Sequence, residues 1–285
     1  MNLLRSASHA PSPASIARTL PGHERNGGPD GALSPFVAPE GSDVEQVGRR
    51  LARLSPILVF LVATLTGYVV LAALMIGAGF LLVDVLLPIH AIGHSDEAVN
   101  EWLASNRSSS LSDGSDVGSM IGDIPFIPAV VILTALGAAI LRRWHVFAFV
   151  VGAIAVEVAT YRVTSLVVHR QRPSVPRLNP EHLPVNQSFP SGHVAASVVV
   201  YVGLALLISS RVRDRRLLIP VWALAIALPL LVALSRMYRG MHHPLDAIFG
   251  ILMGLAAIAI ALFAVRAAGA AARARSSRSD RRVPA

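Results

Sequence analysis

The stretch that decides the fold is residues 217–246, LLIPVWALAIALPLLVALSRMYRGMHHPLD. Its first 18 residues carry no charge, and its last 12 carry two arginines, two histidines and an aspartate. A continuous apolar run of that length, wide enough to cross most of a bilayer, reads as a membrane helix. The polar cluster then sits where that helix ends. Outward from this segment, five more apolar stretches are visible: Pro56 to Leu87, Pro125 to Leu141, Val146 to Val168, Val194 to Ser209, and Leu245 to Val265. Only helices or closed barrels satisfy backbone polar groups in lipid, and unbroken apolar runs select helices. The expected fold is therefore all-α, a polytopic six-helix membrane bundle.

Composition agrees. Of 285 residues, 53% are hydrophobic and 15% charged, and the mean hydropathy is +0.58. That is too apolar for a water-soluble domain of this size. The chain has no Cys, which excludes thiol catalysis and thiolate metal sites. All 25 basic residues are Arg and the formal net charge is +8. The arginines lie between and beyond the apolar segments, so topology and anionic lipid explain them better than nucleic acid does. Arg49, Arg50 and Arg53 precede the first helix. Arg142 and Arg143 follow the second, Arg211, Arg213, Arg215 and Arg216 the fourth, and Arg273, Arg275, Arg278, Arg281 and Arg282 the sixth. In a six-helix bundle these positions share one side, which the positive-inside rule makes cytoplasmic. The acid-rich loop from Pro88 to Ile124 falls on the other side, as do the loops bearing Arg172, His193 and His242. Residues 1–48, rich in Pro, Gly and Ser, read as a disordered cytoplasmic tail. Residues 49–266 form the membrane domain, and 267–285 a basic cytoplasmic tail.

Three polar clusters therefore meet on one face. In Pro190-Ser191-Gly192-His193, a helix is expected to begin near Val194, and a helix N-terminus is a ready anion site. Gly192 permits close backbone approach and the Ser191 hydroxyl can donate; Ser191 also reads as a plain N-cap. His242 and Asp246 are four residues apart and can share a helix face, where a carboxylate would fix the imidazole tautomer. His243 also lies within reach of Asp246, so spacing alone does not separate the two histidines. Arg172 and Arg236 offer planar forks for phosphate oxygens. Glu157, within the third apolar segment, reads as a structural partner for an Arg, or as support for a phosphate-binding Arg.

The pattern Arg172-Pro173, Pro190-Ser191-Gly192-His193, and Ser235-Arg236 with His242 and Asp246 at fixed spacing resembles the type-2 phosphatidic acid phosphatase superfamily of integral-membrane lipid phosphatases. The second and third motifs match in order and spacing, and the likeness covers about residues 56–266. It implies metal-free hydrolysis of a lipid phosphate or diphosphate, with no cofactor. It implies His242 as nucleophile, forming a phosphohistidine, His193 as acid and then base, and Asp246 as the group orienting His242. Arg172, Ser191, Gly192 and Arg236 would hold phosphate. The implied partners are the bilayer and a membrane lipid substrate: undecaprenyl diphosphate, phosphatidic acid or phosphatidylglycerophosphate, of which an outward site favours the polyprenyl carrier. The resemblance implies no oligomeric state. Lipid phosphotransfer by the same histidines, or non-catalytic lipid binding or transport, are the alternative activities. The expected location is a bacterial plasma membrane, both termini inside and the site on the outer face. One departure is clear: the first motif's Lys is replaced by Ser165. Arg162 and Arg170 are the candidate substitutes.

Overall fold

A computed structural model describes residues 35–123, 126–178 and 187–280. Among these residues there is no strand, and nine α-helices follow one another: α1 (Asp43–Arg50), α2 (Pro56–Phe80), α3 (His90–Ser105), α4 (Ser109–Ile121), α5 (Phe126–Ile140), α6 (Trp144–Val167), α7 (Gly192–Ser209), α8 (Arg215–Tyr238) and α9 (Pro244–Asp280). A single π-helical turn, Leu81–Leu86, extends α2. Six segments are long and apolar enough to cross a membrane: α2 with its π turn, α4 continued by α5, α6, α7, α8, and α9 to Ser277. The all-α membrane bundle expected from the sequence is thus the observed fold.

Local signals start the helices. Ser55 accepts from the Leu58 amide with Pro56 at the first helical position, and Asp214 accepts from the Arg216 amide. The spans bury small stripes and leave large apolar residues outward. On α2, Ile57, Leu61, Leu65 and Val69 are exposed, and α5 buries only Ile127 and Ala138. A helix apolar all round suits a lipid surrounding.

The core lies where α2, α6, α7 and α9 meet, around Phe149, Val156, Val198, Met253 and Ala257. Helix α9 also packs closely on α7. A Cβ on Gly250 would stand 2.6 Å from the Ser191 carbonyl oxygen, and one on Gly254 2.7 Å from that of Ala195. Two glycines four residues apart let the backbones approach, as small residues do in membrane helix pairs. This contact docks the first turn of α7 against the first turns of α9.

Three boundaries differ from expectation, the first being the second span, which begins at Ser109 with α4 rather than at Pro125. The tail expected over residues 1–48 is largely outside the described residues, but residues 43–50 form α1. Ser42 caps it, and Val44 and Leu51 pack with Val59, Ala267 and Ala271. At the other end α9 does not stop at 266. The run Ala267-Ala268-Gly269-Ala270-Ala271-Ala272 continues it, because alanine is the strongest helix former and α1 covers that face. Arg281 and Arg282 lie outside the described residues.

Candidate active site

The expected outer loop is largely helical. Helices α3 and α4 occupy most of residues 90–121, and their buried sides are polar: Asp96 and Asn100 on α3, Ser115 and Ser119 on α4. These helices hold the loops that carry the site. Asn100 donates through Nδ2 to the carbonyls of Met237, at 3.1 Å, and His242, at 3.0 Å. Asp96 accepts from the Leu245 amide at 3.0 Å. Glu97 accepts from the Ser174 amide at 2.9 Å and lies 2.9 Å from His243 Nε2. Arg107 donates to the carbonyls of Tyr238 and Pro176.

All three motif regions converge on this platform. The Ser191 amide donates to the Asp246 carbonyl at 3.1 Å, tying the second motif to the third. Arg172 donates to the Met241 carbonyl, tying the first to the third. Arg236 is fully buried and donates from Nη1 to Ser119 Oγ at 2.8 Å. Arg239 pairs with Asp116 and reaches Ser115 Oγ and the Leu178 carbonyl.

His242 is buried just before α9, and its Nδ1 lies 2.8 Å from the Ser188 carbonyl oxygen. A carbonyl can only accept, so Nδ1 carries the proton and the lone pair is on Nε2. Burial and the Arg172 guanidinium push the imidazole well below its ordinary range. Asp246 opposes this, and Arg236 and His193 add to it. The ring is thus kept neutral, as a nucleophile requires.

The expected direct Asp246–His242 pairing is not what the structure contains. Asp246 Oδ2 stands 3.9 Å from His242 Nδ1, beyond hydrogen-bond reach. The reason is local: α9 begins at Pro244, so His242 precedes the helix and the helical four-residue register does not apply. Ser188 bridges the two instead, its hydroxyl donating to Asp246 while its carbonyl receives Nδ1–H of His242. Asp246 also accepts from the His243 amide at 2.8 Å, and its Oδ2 is 3.2 Å from His243 Nδ1. His243 therefore has a carboxylate at each ring nitrogen, Asp246 and Glu97, whereas His242 has one ring nitrogen on a carbonyl. Geometry now separates the two histidines that spacing left equal.

The candidates for the missing lysine are placed apart from one another. Arg170 is buried between two carboxylates, with Nη1 on Asp246 and Nη2 on Asp96. It is already neutralised, and so does not fill the role expected of it. Arg162 is exposed and lines a groove beside His193 rather than joining Arg172 and Arg236. Ser165 is buried, its hydroxyl turned back to the Arg162 carbonyl at 3.2 Å. The Arg expected beside Glu157 is likewise not there: among the described residues Glu157 forms no ion pair, and its Oε2 has no hydrogen-bond partner.

What remains around His242 suits an anion. Ser191 Oγ and Arg172 Nε are buried and have no hydrogen-bond partner among the described residues. The Arg172 guanidinium is held below its usual range by burial and then by the like charge of Arg236. The Arg172 guanidinium with the Arg236 charge beside it, the Ser191 hydroxyl and the N-terminus of α7 together favour negative charge at this place. Gly192 starts α7 because the Tyr161 ring lies against it; a Cβ there would meet that ring at 3.0 Å. His193 is half-buried, and its Nε2 is 3.2 Å from Asp123 Oδ1. Asp123, Ser188, Asp96 and Asn100 escaped sequence reasoning. Only Asp96 and Asp123 left a trace there, as acids among many in one loop.

Residues 128–269 match the sequence profile of the PAP2 superfamily. Two solved structures are similar. One is the first transmembrane PAP2 type phosphatidylglycerolphosphate phosphatase from Bacillus subtilis, at 22% identity and TM-score 0.53, covering 73% of this chain and 94% of that one. The other is Aquifex aeolicus LpxE, at 21% identity and TM-score 0.44, covering 58% and 93%. No curated protein matches the chain.

Proposed function

Because this chain belongs to the PAP2 superfamily, and is with it an integral-membrane lipid phosphatase, we propose that it hydrolyses a lipid phosphate or diphosphate in two steps through His242, without metal, at the outer membrane face. The observation that carries this is the His242 ring itself. It is buried and neutral, with Nδ1–H fixed on the Ser188 carbonyl and two guanidiniums close enough to depress its basicity.

In the first step the Nε2 lone pair attacks phosphorus, and the bond from phosphorus to the lipid oxygen breaks. His193, protonated beside Asp123, gives its proton to the departing lipid oxygen. Arg172, Arg236, the Ser191 hydroxyl and the first amides of α7 hold the equatorial oxygens, where charge gathers. In the second step a water gives a proton to His193, and its oxygen attacks the phosphohistidine. The P–N bond breaks, phosphate leaves and both histidines are restored. Asp246 acts on His242 through Ser188. The arginine clusters support a cytoplasmic placement of the opposite ends of these helices, and hence an outward site.

The test is phosphate release from phosphatidic acid, phosphatidylglycerophosphate and undecaprenyl diphosphate by the purified chain, with His193→Ala as the blank. Free phosphate should account for the lipid phosphate lost. Lipid consumed with phosphate passed to another lipid would point to transfer instead.

A further inference from the structure

A groove of about 380 Å³ opens beside His193, between α5, α6 and α7. Its mouth is polar, with His193 and Asp123, and its walls are apolar apart from Glu157, Tyr161 and Arg162 of α6. Two wall residues, Ile132 and Val158, are exposed on the outer surface of the helices, so the groove is open toward lipid. Arg162 is exposed, so its charge can leave the groove, but one buried residue does not fit an apolar slot. Glu157 borders the groove, is 2% exposed, and among the described residues its Oε2 has no hydrogen-bond partner. Burying a lone carboxylate costs far more than burying the neutral acid, and even the acid is costly without a partner. The carboxyl is thus an O–H donor that lacks an acceptor.

Position says what the acceptor is. Tyr161 lies against Gly192, so it marks the depth of the phosphate site. Glu157 is four residues earlier on α6, about 6 Å deeper toward the membrane centre. In a diacylglycerol phosphate, phosphorus and the nearer ester carbonyl carbon are joined by five bonds, about 6 Å when extended. A polyprenyl phosphate carries only hydrocarbon at that depth. We propose that Glu157 donates a hydrogen bond to an ester carbonyl of a diacylglycerol phosphate lying in this groove, which makes the chain selective for glycerolipid over polyprenyl substrates. This rests on the phosphatase reading above.

The test compares dioleoyl phosphatidic acid with its dialkyl ether analogue, which has the same phosphate and chains but no carbonyl. Polyprenyl phosphate serves as a third substrate, and all are presented in mixed micelles to the full chain. Loss of one buried hydrogen bond predicts about a tenfold lower kcat/KM for the ether lipid. Glu157→Leu should bring the ester-to-ether ratio close to one, while Glu157→Gln, still a donor, should keep most of it. A wild-type ratio near one, a ratio that survives in Glu157→Leu, or preference for the polyprenyl substrate would each overturn the inference while leaving the phosphatase reading intact. Release of phosphate from none of the three would instead sink that reading. If Glu157→Leu fails to fold, the wild-type ratio and Glu157→Gln still decide the matter.

Discussion

Replacing Arg170 by glutamine strips the cation from two carboxylates that have no exposure to spare. The side chains of Asp96, Arg170 and Asp246 are 3%, 4% and 0% exposed. Breaking a buried ion pair from one side costs about 3–5 kcal/mol, which for a chain of this size lowers Tm by roughly 6–20 °C. Asp96→Asn should do less harm, because the remaining Arg170–Asp246 pair is neutral. The double variant Asp96→Asn/Arg170→Gln should melt above Arg170→Gln alone, since it leaves one unpaired carboxylate rather than two. Asp246 would then keep the donors Ser188 and His243. The assay is thermal unfolding in one detergent for the wild type, both single variants and the double variant, with kcat and KM measured well below each Tm. If Arg170→Gln melted within about 2 °C of wild type and only raised KM, Arg170 would be a phosphate ligand and the reasoning would fail.

Other expectations follow from the same geometry. Because His242 titrates below its ordinary value, its neutral form persists as pH falls through about 6.5, so its acid limb in kcat/KM should lie below that pH. Arg172→Gln removes a cation that depresses the ring, so the limb should move upward even as the rate drops; a downward move would contradict the assignment. Gly250→Ala presses a Cβ onto the Ser191 carbonyl and should cost about 1–3 kcal/mol together with activity. Gly137→Ala, in α5 with nothing within 4 Å of its Cβ position, should be neutral or stabilising by up to about 1 kcal/mol in the same melting assay. Chelation of divalent ions should leave phosphate release unchanged, and loss of activity restored by one added metal would contradict the metal-free reading.

Apart from the α4 half of the second span, the spans were legible because lipid asks only for length and apolarity, which runs such as 217–234 display without context. Helices α3 and α4 were not, because their pattern is inverted. Asp96 and Asn100 face inward to hold backbone loops, while Trp102, Leu111, Val117 and Met120 are exposed. A rule that buries apolar residues reads such segments as loop. In the site, residue types at fixed spacing pointed to His193, His242, Arg172 and Arg236, and the structure brings them together. The Ser188 bridge was hidden because half of it is a backbone carbonyl, which every residue has. Arg170 was misplaced for a different reason: its two carboxylate partners come from α3 and α9, 74 and 76 residues away. No local pattern encodes that.

The central claim is that His242 Nε2 takes the phosphoryl group. The most direct measurement is rapid base quenching of the purified chain during turnover of a labelled lipid phosphate, followed by peptide mapping for a base-stable, acid-labile phosphohistidine. The account predicts label on His242 in the wild type and none in His242→Ala, with His243→Ala still labelled at His242. Label on His243, or full turnover by His242→Ala, would contradict it.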